Sequence, residues 1–294
     1  MNLSGCGTAL VTPFAQDGSI DEPALRAHVD WQITSGISLL IPCGTTGEAS
    51  TLTAQEWLRV IEITVEAAAG RVPVYAGCTH NSTAQLVLNA RKLSAISGLT
   101  GILSASPYYN KPGQEGQFQH FRALAEATPL PILLYNIPGR TGTNLLLETV
   151  LRLAELAGIA GIKESSGNLA QITELLTQAP RSFKVFAGDD ALALPILAVG
   201  GCGLISVASN AIPGPMTQMI AAALRSDWLT ARSLNALYFA FMQANFLEPS
   251  PAPIKAVLSL LGRCSDAVRL PMLPVSDATR SKLQTILDQL GQTK

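Results

Sequence analysis

Eight short apolar or β-branched runs, each followed by an amphipathic stretch, recur along the chain at intervals of roughly 25 to 35 residues. That alternation is the pattern of a parallel sheet whose strands are joined by crossover helices. The runs are Thr8 to Val11, Ser38 to Pro42, Val72 to Gly77, Gly101 to Ser106, Pro131 to Asn136, Ile159 to Glu164, Phe183 to Gly188 and Gly203 to Val207. Eight such units close more naturally into a barrel than into an open sheet, and no GxGxxG follows the first run to suggest a dinucleotide fold. The expected fold is therefore an α/β (β/α)8 TIM barrel. A barrel of about 250 residues plus an appendage fits the 294 residues available. Thr53-Ala-Gln-Glu56 and Ser82-Thr-Ala-Gln85 read as capping boxes that start two helices. From Trp228 onward, helical patterns and the Pro-rich stretch Glu248 to Pro253 predict a C-terminal helical extension. The expected division is residues 1–227 as catalytic barrel and 228–294 as extension.

Composition narrows the partners. Apolar residues make up 48% of the chain and charged residues 14%, which suits a large buried core and further surface hidden in an oligomer. The net charge of −1, with Lys and Arg scattered, offers no basic footprint for nucleic acid or anionic lipid. Small molecules and further copies of the chain are the expected partners. The five cysteines, Cys6, Cys43, Cys78, Cys202 and Cys264, are odd in number and widely spaced, so neither a disulfide framework nor a zinc site is expected. The start, Met1 to Gly7, has no basic n-region and no apolar h-region, which predicts a cytoplasmic protein. Ala191 to Ala208 is uncharged and approaches the length of a membrane span, but Pro195, Gly200, Gly201 and Gly203 divide it into a short helix and a strand.

In a β/α barrel, active-site groups project from the C-terminal ends of the strands. Lys163 closes the sixth run, Ile159-Ala-Gly-Ile-Lys163, which should be buried on both sides. An amine must be neutral to attack a carbonyl, and desolvation disfavours the ammonium form. The alternative is a strand-end lysine whose ammonium snorkels to water. Tyr135 ends the fifth run, and neighbouring strands lie about 4.8 Å apart, so its phenol can meet Lys163 across the barrel mouth. There it could pass protons, or it could be a core tyrosine bonded to backbone. Gly44-Thr45-Thr46-Gly47-Glu48 after the second run exposes backbone N–H groups and hydroxyls in a tight loop, suited to a carboxylate or a proton relay and equally to a plain glycine turn. Tyr108-Tyr109-Asn-Lys-Pro112 adds phenols to the same face, or forms a packed turn.

Six motifs in order, Gly44-Thr-Thr-Gly-Glu48, Ser106-Pro-Tyr-Tyr-Asn-Lys-Pro112, Tyr135-Asn-Ile-Pro-Gly-Arg-Thr-Gly142, Gly161-Ile-Lys-Glu164, Gly188-Asp-Asp190 and Gly203-Leu-Ile-Ser-Val207, resemble the dihydrodipicolinate synthase family. The resemblance covers nearly the whole chain. It implies a lyase in which Lys163 forms a Schiff base with pyruvate and the enamine attacks L-aspartate 4-semialdehyde, without metal or organic cofactor, in lysine and diaminopimelate biosynthesis. It also implies that Tyr135 donates and accepts protons and that Thr45 and Tyr109 complete a hydroxyl relay, Tyr109 being lent by a neighbouring subunit of a homo-oligomer (a tetramer built as a dimer of dimers, or a dimer). By the same resemblance Thr46 and Ile205, with Gly188 of the seventh strand, hold pyruvate, and Arg140 receives the semialdehyde carboxylate through its bidentate fork.

Two related readings share the lysine. One is a pyruvate-dependent aldolase or dehydratase acting on another aldehyde or a sugar acid; the other is a non-catalytic barrel that binds 2-oxo acids. N-acetylneuraminate lyases resemble the chain in fold and lysine, but typically carry a serine where Thr45 stands and lack the counterpart of Arg140. One departure bears on regulation. Lysine-inhibited relatives usually carry histidines and a glutamate where this chain has Ala54, Trp57 and Gln85, while Asn81 and Tyr108 match. Feedback by lysine is therefore expected to be weak or absent.

Overall fold

The computed structural model describes residues 3–291; Met1 and Asn2, with which the reading of the start opens, and residues 292–294 lie outside them. Eight parallel strands form one sheet: β1 (Gly5–Ala9), β2 (Leu39–Ile41), β3 (Tyr75–Gly77), β4 (Gly101–Ala105), β5 (Ile132–Asn136), β6 (Ile159–Glu164), β7 (Lys184–Ala187) and β8 (Gly203–Ser206). Their order, β2-β1-β8-β7-β6-β5-β4-β3, runs once around a barrel. The two ends meet through a parallel bridge between Leu40 and Val74, with the Gly77 N–H donating to the Pro42 carbonyl at 2.8 Å. Every expected strand is present, although β1 begins three residues before its apolar run and β3 keeps only the last half of its own. Closure this way leaves no free sheet edge among the described strands.

Helices α1 (Glu22–Thr34), α2 (Ala54–Ala68), α3 (Thr83–Leu93), α4 (Gln114–Ala127), the single turn α5 (Pro138–Thr141), α6 (Leu147–Ala154), α7 (Leu169–Gln178), α8 (Ala193–Ala198) and α9 (Pro213–Leu224) connect the strands and cover them. Alternation along each strand sorts side chains into two cores. Leu39, Leu103, Leu133, Tyr135, Phe186 and Ile205 fill the barrel interior, while Leu40, Ile102, Leu134, Ile162, Val185 and Leu204 face the helices. The segment from Ala191 to Ala208 resolves into α8 and β8, and among the described residues no helix is long and apolar enough to cross a membrane.

The first capping box forms in full: Thr53 Oγ1 accepts from the Glu56 N–H at 3.2 Å, and Glu56 Oε2 accepts from the Thr53 N–H at 2.9 Å. The second does not. Ser82 does precede α3, but its N–H already donates to His80 Nδ1 at 2.9 Å, and the Gln85 amide turns along the helix to donate to Asn89 Oδ1 at 2.9 Å. With its target donor taken, Gln85 has nothing to cap.

Beyond α9 the chain forms α10 (Trp228–Ala244), α11 (Ala252–Leu260) and α12 (Asp277–Gln289). The helix α10 packs on α9 and α8, and α12 packs on α10 and α11. Lys255 is the one charged residue of α11 and is fully buried, at 0% exposure. Its ammonium donates to Glu48 Oε1 and to the Ala267 carbonyl at 2.8 Å and lies over the Phe14 ring. The second oxygen of Glu48 accepts from the Arg269 N–H at 3.1 Å. Burial pushes the Lys255 pKa down while Glu48 pulls it back up. This buried pair ties the loop after β2 to the C-terminal helices.

Candidate active site

The C-terminal ends of the strands open into a cleft of about 660 Å³. Thr45, Tyr108, Tyr135 and Arg140 line it, together with Ser250 and Pro251 from the C-terminal segment. Arg140 sits in the turn α5, where Pro138 at the first helical position starts a turn that Gly142 ends in the left-handed conformation. Its Nη2 donates to the Ser250 carbonyl at 3.3 Å, and the residue is otherwise exposed to the cleft.

Lys163 does not itself line the cleft. Its side chain is buried, 4% exposed, and its Nζ lies 4.3 Å from the centre of the Tyr135 ring, which does line it. The two residues are direct register partners across β5 and β6, and both face the barrel interior. The snorkelling alternative is thus not what the fold realises. Gly188, one residue past β7, explains how the long lysine stem fits: a Cβ there would stand 2.8 Å from Lys163 Cε and 2.9 Å from Cγ. Gly188→Ala should therefore push the amine out of line and lower kcat by about 10²-fold. Circular dichroism should match the parent, and parental turnover would show that the stem has room to spare.

On the opposite face of the same two strands, Asn136 and Glu164 hold each other. The Asn136 amide donates to both Glu164 oxygens at 3.3 and 3.1 Å and to Asn144 Oδ1 at 2.7 Å, while Glu164 Oε1 accepts from the Ser166 N–H at 2.6 Å. Burial pushes the Glu164 pKa up, against the pull of hydrogen bonds from Ser166 and Asn136. These contacts lock the strand ends that carry Tyr135 and Lys163. Asp190 does the same for β8: its Oδ2 accepts from the Val207 and Ala208 N–H groups at 3.1 and 3.0 Å.

The remaining expected residues fall at different depths. Thr46 is buried beside the exposed Thr45, and Ile205 is fully buried in the interior layer that also holds Tyr135. Tyr109 stands apart. It is 87% exposed, has a left-handed φ of 73°, and does not join the cleft of its own chain.

A model of the dihydrodipicolinate synthetase family matches residues 2–290. The chain belongs to this family. It is 62% identical over 292 residues to a 4-hydroxy-tetrahydrodipicolinate synthase of Acidobacterium capsulatum, with 99% of this chain and 97% of the relative covered. Its fold matches the dihydrodipicolinate synthase of Aquifex aeolicus with a TM-score of 0.96 at 37% identity, over 99% of each chain. It matches equally, at a TM-score of 0.96 and 37% identity over 98% of this chain and 99% of the other, the chloride-inhibited dihydrodipicolinate synthase of Acinetobacter baumannii complexed with pyruvate.

Glu48 and Lys255 are site-supporting residues that motif reading missed as a pair, because 207 positions separate them. A single lysine inside the otherwise apolar α11, Ala-Pro-Ile-Lys-Ala-Val-Leu-Ser-Leu, was the available signal.

Proposed function

We propose that this chain condenses pyruvate with L-aspartate 4-semialdehyde to give 4-hydroxy-tetrahydrodipicolinate, the lyase step of its family in lysine and diaminopimelate biosynthesis. The observation that carries the chemistry is the buried Lys163 amine set against the Tyr135 ring at paired strand ends. Nζ attacks C2 of pyruvate, and the carbonyl oxygen leaves as water, giving an imine. Loss of a C3 proton yields the enamine, whose C3 attacks the aldehyde. The amino group of the semialdehyde then closes on C2 and releases Lys163. Tyr135 is the proton donor and acceptor, with Thr45 and a neighbouring subunit's Tyr109 completing the relay. Thr46, Ile205 and Gly188 frame the ketoacid, and Arg140 at the cleft rim takes the semialdehyde carboxylate, which its exposed guanidinium and 3.3 Å tether to Ser250 support. Turnover of the two substrates in a coupled assay, with no cleavage of sugar acids, is the expected result; sugar-acid cleavage without condensation would transfer the chain to the catabolic aldolases.

The same reading takes residues 1–227 as the catalytic barrel and 228–294 as its extension, supported by the packing of α10 on α8 and α9. It takes the working form as a homo-oligomer, a tetramer or a dimer, which suits the outward Tyr109 and the exposed Leu229, Leu237, Leu270 and Leu273. A cytoplasmic location fits five free cysteines, whose thiols burial pushes up, Cys78 and Cys202 to about 12 and Cys264 to about 11.

Ala54, Trp57 and Gln85 line the same cleft as His80 and Lys92. Its one lining carboxylate, Glu48, is already bound to Lys255. A lysine ammonium entering there meets no anion. The steady-state rate should be unchanged at millimolar lysine, and clear inhibition at sub-millimolar lysine would contradict this.

A further inference from the structure

Strand alternation carries past the end of β6. The Ser165 N–H donates to the Asn136 carbonyl at 2.8 Å, so the β5–β6 ladder continues by one residue, and Ser165 falls on the same inward face as Lys163, with Glu164 turned the other way. Its hydroxyl is buried and has no hydrogen-bond partner among the described residues. Its place is fixed by the gap at Gly188: a Cβ there would stand 2.0 Å from Ser165 Oγ and 2.8 Å from Lys163 Cε. The hydroxyl and the lysine stem are therefore neighbours, no further apart than those two distances together. Tyr135 lies against Lys163 from β5, and Ser165, two residues past Lys163 on the same inward face, holds its hydroxyl beside Gly188.

A buried hydroxyl without a partner is costly, and a native fold tolerates it where something else supplies the partner. Lys163 is the site at which a ketoacid arrives. Once Nζ has bonded to C2, the former carbonyl oxygen sits three bonds from Cε, the stem atom that shares the gap at Gly188 with Ser165 Oγ.

We propose that Ser165 is a further catalytic residue of this chain, its O–H donating a hydrogen bond to the oxygen of the carbinolamine formed at Lys163; this rests on the Schiff-base reading above. The Nζ–C2 bond forms as one Nζ proton passes to the carbonyl oxygen, and the C2–O bond then breaks with a second proton delivered through Tyr135, which recovers it from Nζ, so that one water leaves and the imine remains. Ser165 loses no proton in the cycle. It steadies the oxygen while charge shifts on and off it.

The test is rapid-quench trapping of the intact enzyme with pyruvate and borohydride, followed by intact mass. Ser165→Ala should slow formation of the trapped adduct by about 3- to 10-fold, the size of one neutral hydrogen bond. The KM for the semialdehyde should not change. Because the hydroxyl has no partner in the free protein, its removal should leave the thermal midpoint unchanged or raise it, whereas a hydroxyl with a purely structural role would lower it. Ser233→Ala, on the exposed face of α10 with its hydroxyl donating to the Leu229 carbonyl, should match the parent. A Ser165→Ala variant that forms the adduct at the parent rate overturns the proposal, as does one that is slow only because its midpoint has fallen. Absence of any adduct in the parent protein would instead remove the Lys163 reading, and this proposal with it.

Discussion

Lys163→Ala should lower turnover by on the order of 10⁴-fold or more, because among the described residues no other amine stands on the interior face of the barrel mouth to form the covalent intermediate. The folded protein should survive the change. The lysine stem is one side chain beside the apolar barrel interior, and among the described residues its amine makes no ion pair whose loss would strand a partner. Pyruvate affinity should also weaken, since part of that affinity is the covalent bond itself. Parental affinity in the variant, joined to a parent that turns nothing over, would describe a 2-oxo acid binding barrel instead. Lys163→Arg should be as inactive as alanine, because a guanidinium keeps its proton and cannot serve as a nucleophile.

The largest loss of stability is expected at Lys255→Met. The substitution shortens the side chain by a single atom and leaves Glu48 as a buried charge without its ammonium. Breaking a buried pair from one side costs about 3–5 kcal/mol, which for a chain of this size lowers the thermal midpoint by about 5–8 °C. Adding Glu48→Gln should recover most of that loss, because the stranded charge rather than the missing attraction is what destabilises. Turnover should fall at permissive temperature too, since Glu48 closes the loop that carries Thr45 and Thr46 and its own φ of 54° is left-handed. An unchanged midpoint in the single variant would contradict this account of the pair.

These two residues mark where the sequence was and was not legible. Lys163 and Tyr135 could be placed because periodicity is local: each closes an apolar run, and equal position along adjacent strands makes them register partners. The eight-fold repeat of run and helix likewise requires only neighbouring residues to be read. Gly188 was visible as part of a motif, but its steric reason was not, since the crowding comes from Ser165 and Lys163 on another strand. Long-range pairs were invisible in the same way. Glu48 appears in the sequence as the end of a glycine loop, and Lys255 as a lysine just past a Pro-rich stretch; only the fold brings them together across 207 positions. Ser82 and Gln85 show the opposite failure. The local pattern was right for a capping box, yet His80, two residues away, satisfied the donor first.

Borohydride reduction in the presence of pyruvate tests the central claim most directly. The predicted result is a covalent mass on one peptide only, the one containing Lys163, with loss of activity in proportion to labelling and none of either when pyruvate is omitted. Labelling of another lysine, or full activity after reduction with pyruvate present, would contradict it.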